Sequence, residues 1–134
     1  MIDSAEEFVR LRSSEVMEEY NRAAQDEASI EVWLDVIERF PDYKTWVIHN
    51  KTVPLKILVL LSDDPDSDVR GWVAEKRKLS HALFMQLAQD PEEWVRQRIA
   101  CNAKAPDDAL RLLIDDSNED TRERARERLG LAED

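Results

Sequence analysis

The chain of 134 residues carries 30 acidic and 19 basic side chains, a net charge of -11, with 43% apolar and 37% charged residues. The apolar share is that of a chain with a core rather than a disordered one, and the negative field repels phosphate backbones and anionic lipid headgroups, which argues against nucleic-acid binding by bulk charge. Two glycines argue against tight hairpins and glycine-rich phosphate loops, and a single cysteine, Cys101, excludes an internal disulfide framework.

The opening run Met1 to Glu7 is acidic and has neither the basic nor the apolar stretch of a secretory signal. The longest apolar run, Ile57 to Leu61, is far short of the roughly 20 residues that cross a bilayer. The expectation is a cytoplasmic protein with no membrane partner.

In chain order, the first predicted element is a helix from Ser4 to about Ser13, where Ser4 and Glu7 have capping-box spacing. A second helix is predicted from Ser14 to about Ala28, with Phe8, Leu11, Val16, Met17 and Tyr20 supplying the apolar faces of the two. Trp33, Leu34, Ile37 and Phe40, followed by Pro41 to Val47, read as a degenerate copy of a pattern that then repeats. Asp68-Val69-Arg70 returns as Trp94-Val95-Arg96 and as Asp120-Thr121-Arg122, 26 residues apart each time. Whole columns keep this period: Val47, Val73 and Ile99; Leu58, Phe84 and Leu110; Leu61, Leu87 and Leu113; Asn50, Lys76 and Asn102; Asp64, Asp90 and Asp116.

Each copy reads as two short helices. In the first copy these run from about Pro54 to Ser62 and from about Pro65 to Glu75, with Asp64 as the N-cap and Pro65 at the first helical position. Asp90-Pro91 and Asp116-Ser117 are the counterparts, and Asp116 with Glu119 has capping-box spacing. Helices this short are not stable alone, so neighbours must cover them. The segment from Arg122 to Leu129 is a strongly charged last helix with a solvated outer face, ended by Gly130. The predicted organisation is one all-α domain over residues 1–134, with an N-terminal helical cap and degenerate repeat over 1–46 and three 26-residue repeats over 47–129.

The run Val47 to Arg70, with its Asp and Arg six residues apart in Asp64/Arg70, Asp90/Arg96 and Asp116/Arg122, resembles the HEAT-like and leucine-rich repeat variant families. The resemblance covers residues 47 to 129. It implies a right-handed α-α superhelix in which Asp–Arg pairs tie adjacent repeats together, and a scaffold that binds other proteins. In the third copy, Thr121 replaces Val and Ser117 replaces Pro, as expected of a terminal repeat. Some variant-repeat proteins carry an iron–sulfur cluster. That cluster needs several cysteines, so with one cysteine no cofactor carries over.

Three constellations hold residue types that could carry chemistry or binding. Asp64, Asp66, Asp68 and Glu75 occupy positions 1, 3, 5 and 12 of a calcium loop, but Val69 stands where that loop needs Gly, and helix capping explains the acids better. His49, Glu75 and Cys101 share a column, yet stacked helices stand roughly 8–10 Å apart, too far for a catalytic triad. No metal site and no enzyme is expected. The inter-repeat loops, in contrast, carry Lys51, Lys56, Lys76, Arg77, Lys78 and Lys104, together with Asn50 and Asn102, and would align as a cationic edge.

Residues 1–46 hold 12 acidic and 5 basic side chains, so charge is unevenly spread. Trp46 and Trp72 read as core, whereas Trp94 stands in a column that is acidic in its sister copies and is either a partner contact or packing on the cap. The function expected is a non-enzymatic protein–protein interaction module, with Lys51, Lys76, Arg77, Lys78, Lys104 and Trp94 as the partner-binding residues. Two alternatives stand beside it. The acidic turns around Asp63 to Asp68, Gln89 to Glu93 and Asp115 to Asp120 would suit an immunity or antitoxin-type protein that neutralises a basic toxin. HEAT-like DNA glycosylases share the repeat type, but this chain's charge has the wrong sign for them.

Overall fold

A computed structural model of the chain describes residues 1–131. Among the described residues there are ten α-helices, one 3-10 turn and no strand beyond a single bridge between Ile2 and Ala28. The chain packs as two compact units, the first from Met1 to Leu61 and the second from Ser62 onward.

The first unit holds α1 (Ala5–Arg12), α2 (Met17–Gln25), α3 (Ile30–Arg39), a 3-10 turn (Pro41–Tyr43), α4 (Lys44–His49) and α5 (Leu55–Leu61). Ser4 caps α1 as expected, its hydroxyl accepting the Glu7 N–H at 3.0 Å. Ala5, Phe8 and Leu11 then fall on one face and are buried. The Phe8 ring meets Trp33 of α3 edge to face at 5.1 Å, and both are fully buried. Trp33 is thus the core tryptophan of this unit. Trp46, expected in the core, is half-buried, with the Arg12 guanidinium 3.4 Å from its ring centre. The same guanidinium lies 4.4 Å from the Tyr20 ring, so one cation bridges two aromatics. Helix α2 starts three residues later than expected and buries only Ala23, leaving Val16, Met17 and Tyr20 exposed.

The second unit holds α6 (Ser67–Ala74), α7 (His81–Leu87), α8 (Glu93–Cys101), α9 (Asp107–Arg111) and α10 (Glu119–Arg128). Contacts run from α6 to α8 to α10 in one row and from α7 to α9 in another, with α8 touching both α7 and α9. Val69, Val73, Leu83, Phe84, Leu87, Val95, Ile99, Leu110 and Leu113 fill the space between the rows. Gly130, at φ 71°, follows the end of α10, where only a residue without a Cβ is unstrained.

The helix starts correct the sequence expectation. Asp64, Asp90 and Asp116 are not the N-caps. Each accepts the backbone N–H two residues on, from Asp66, Glu92 and Asn118, at 2.9, 3.0 and 2.9 Å. This Asx turn uses up the residue after the aspartate and delays the helix. The N-caps are therefore Asp66, Glu92 and Asn118, and Pro65 and Pro91 lie outside the helices. Thr121, which stands where the other two copies have Val, is fully buried and its hydroxyl donates to Asn118.

The Asp–Arg pairs six residues apart prove to be side chain to backbone. Arg70, Arg96 and Arg122 each donate through Nη1 to the carbonyl of Asp64, Asp90 and Asp116, at 2.8, 2.7 and 2.8 Å. The ionic partner stands 20 residues on instead. Arg70 forks onto Asp90 through Nε and Nη2 at 2.8 and 3.1 Å, and Arg96 forks onto Asp116 at 2.7 and 3.4 Å. Side-chain exposure is 13% and 5% in the first pair and 15% and 5% in the second, so both pairs are largely out of water. Burial raises the Asp116 carboxyl pKa, but the Arg96 hydrogen bond and the Asn118 N–H outweigh it and hold the group below its ordinary value.

Arg96→Ala strips a buried carboxylate of its countercharge and is expected to cost about 3 kcal/mol of unfolding free energy. Because the folded pKa of Asp116 is depressed, its contribution is fully present above the unfolded value of about 3.9 and is lost as pH falls through the folded one. Urea denaturation at pH 7 and at pH 3 should show stability falling with acid in the parent chain, and a flatter dependence in Arg96→Ala. An unchanged midpoint at pH 7 would refute the structural role of the pair.

Candidate partner-binding surface

Two of the cationic loops of the second unit follow helix ends. Arg77 and Lys78 come after α6, and Lys104 comes after α8. Positive charge there complements the carbonyl end of each helix dipole. All three are exposed, and none meets a carboxylate among the described residues. Lys76 differs. It is half-buried, and burial, followed by the charge of Lys78, pushes its pKa below the ordinary lysine value. Lys51 belongs to the first unit, where it is exposed and its backbone N–H donates to the Ala24 carbonyl at 2.8 Å.

The asparagines read as part of this polar edge are buried. Asn102 accepts the Lys104 N–H through Oδ1, a local turn as expected, but its Nδ2 donates to the carbonyls of Ala74 and Lys76, both at 2.8 Å. Asn50 does the same in the first unit, donating to Ala23 and Asp26 while accepting from Thr52. Arg128 donates through Nη1 to Ala100 and Asn102 at 2.8 and 2.7 Å. The last carbonyls of a helix have no partner within it. Here a side chain from a later helix end supplies one. The repeat column Asn50, Lys76, Asn102 carried this signal, and Arg128 continues it 26 residues on.

Near the same helix ends, Glu75, Arg77, Arg98, Cys101 and Asn102 line a cleft of about 340 Å³. Arg98 pairs with Glu75, which removes one cation from the surface. Glu75 also stands at the opposite end of α6 from Asp64, Asp66 and Asp68, so the four calcium-loop acids do not converge. At the helix starts, a cleft of about 380 Å³ is lined by Asp63, Asp64, Arg70, Gln86, Gln89 and Asp90. Gln86 donates to Ser62 and Asp63 across it. Among the described residues no group of His, Cys, Asp and Glu could hold a metal ion, and no helix is long and apolar enough to cross a membrane.

Trp94 is half-buried. Its ring covers Gly71 of α6 and its Nε1 donates to Ser67 at 3.4 Å. The Arg98 guanidinium lies 4.9 Å from the Trp94 ring and 5.5 Å from that of Trp72, which is itself half-buried rather than core. Sequence reasoning did not single out Gly71. The signal was present: one of only two glycines, placed inside a helix where nothing in the backbone requires it.

No family model, curated protein or solved structure matches the chain.

A Cβ on Gly71 would sit 2.2 Å from the Trp94 ring. Gly71→Ala should therefore lower stability by about 1–3 kcal/mol through overpacking, although alanine favours a helix by about 1 kcal/mol. In a Trp94→Ala background the clash is gone and the same substitution should become stabilising. Thermal melts of the parent, both single variants and the double variant test this. A Gly71→Ala variant as stable as its parent would remove the packing role of Trp94.

Proposed function

We propose that the chain is a non-enzymatic protein–protein interaction module, built as a short right-handed solenoid of 26-residue HEAT-like, leucine-rich-variant repeats behind a helical cap. It binds an acidic segment of a protein partner through its cationic loops, with Arg77, Lys78 and Lys104 as the principal contacts, Lys51 and Lys76 as further ones, and Trp94 second to these. One observation carries the reading. Exposed Arg77, Lys78 and Lys104 meet no carboxylate among the described residues, in a chain with 30 acidic side chains. Cations left out of internal pairs keep their charge for a partner and raise its association rate. The recurrence of the arginine–carbonyl bonds and of the asparagine bonds at helix ends supports the repeat architecture.

A second reading is supported by the acid-lined cleft at the helix starts. Asp63 lines it and is exposed, the exposed Asp66 and Glu92 directly follow its lining residues Pro65 and Pro91, and a basic toxin-like partner would fit there.

The two readings are separated by affinity capture from native extract at low and high salt, with the parent chain and an Arg77→Glu/Lys78→Glu/Lys104→Glu variant as baits. A stoichiometric acidic protein held by the parent and lost by the variant is the expected result. A basic protein retained by both baits would favour the acidic cleft. A partner set that the variant leaves unchanged would overturn the role of the cationic loops.

A further inference from the structure

Arg70, Arg96 and Arg122 share one anchored arrangement, with Nη1 on the carbonyl six residues earlier. That bond holds the guanidinium and leaves Nε and Nη2 as a fork. In Arg70 and Arg96 the fork closes on a carboxylate, that of Asp90 and Asp116. In Arg122 the anchor is the same length and the side chain is half-exposed, but the fork meets no carboxylate among the described residues. A planar fork fixed in advance matches a carboxylate bidentately and loses little freedom on binding it.

We propose that Arg122 binds a carboxylate side chain of another polypeptide, as Arg70 binds Asp90. The surroundings narrow the ligand. Asp116 is taken by Arg96, and Asp115 by Arg126, but Glu119 and Asp120 are exposed on the first turn of the same helix. Their charge repels a polyanion and admits a single carboxylate with neutral or basic neighbours. An aspartate followed by proline meets that requirement and is what Asp90-Pro91 already offers to Arg70. This site is separate from the cationic loops: Arg122 stands on the first turns of α10, whereas Arg77, Lys78 and Lys104 follow the ends of α6 and α8. Failure of either proposal leaves the other intact.

The test is arginine Nε–Hε NMR on the full, ¹⁵N-labelled chain, titrated at constant ionic strength with sodium acetate or with N-acetyl-Asp-Pro-amide. In the free chain, Hε of Arg70 and Arg96 should exchange slowly with water and Hε of Arg122 quickly. Arg122 should then shift and saturate, at roughly 10–100 mM for a single charge-assisted fork, while exposed Arg124 on the same helix only drifts. The dipeptide should half-saturate at lower concentration than acetate. Arg122→Lys keeps the charge but lacks the fork; it gives up the anchor on the Asp116 carbonyl as well, so some loss of melting temperature is expected, and saturable binding should be abolished in a chain whose Arg70 and Arg96 Hε signals stay in place and show it still folded. Protection of Arg122 in the free chain equal to that of Arg70, or an identical response from Arg122 and Arg124, would overturn the proposal. Acetate binding as tightly as the dipeptide would assign the site to a free organic acid and overturn the polypeptide source.

Discussion

An arginine that grips a backbone carbonyl with one nitrogen and a carboxylate with the other two organises the second unit. The α-helices there run from five to ten residues, too short to hold themselves together. Arg70 and Arg96 each tie the turn before their own helix to the turn that opens the next helix of the row. The carboxylate they reach is already fixed, because Asp90 and Asp116 also accept a backbone N–H two residues on. One aspartate thus serves a turn and an ion pair together. Such a pair stabilises only because each partner's remaining hydrogen bonds are also satisfied.

The far ends of the same helices are closed by a different device. Asn102 and Arg128 donate to the last carbonyls of an earlier helix. Helix α10 depends on this more than the others. Its buried residues are only Thr121 and Ala125, so apolar burial contributes little there. Arg122, Arg126 and Arg128 make up the difference by donating to the carbonyls of Asp116, Ile114 and Ala100. A helix that reads from its sequence as solvated charge is held by arginines that point inward.

The buried apolar positions were legible in the sequence because burial restricts what can stand there. Val73 and Ile99, or Leu87 and Leu113, must each present an apolar group at one point of a packed row, and no polar residue can substitute there. The Ser4 cap was legible because a cap is a local contest decided within four residues. The caps at Asp64, Asp90 and Asp116 were misplaced because aspartate competes for two nearby amides. The Asx turn won, and the helices opened two residues later. The Trp94–Gly71 contact was not legible as a pair. A glycine and a tryptophan 23 residues apart carry no local pattern, and only the packing of α8 on α6 brings them together. For the same reason Lys76 could not be told from Lys78. Both are loop cations in the sequence, and only the fold makes one half-buried and leaves the other exposed.

The charge pattern follows from the same helix ends. Acids collect where helices begin and cations where they end, since both stabilise the dipole. Asp63, Asp66, Asp68, Glu92 and Glu93 at one end, and Arg77, Lys78 and Lys104 at the other, are what folding alone would select. A surface that folding supplies can steer a partner of the opposite sign, but it discriminates poorly among such partners, because any helix end offers similar charge. Selectivity has to come from groups whose geometry is set more tightly than their charge requires. Arg122 is such a group: its guanidinium is held by the Asp116 carbonyl in the arrangement that Arg70 and Arg96 use for a carboxylate, while lysines on flexible stems beyond α6 and α8 act as point charges.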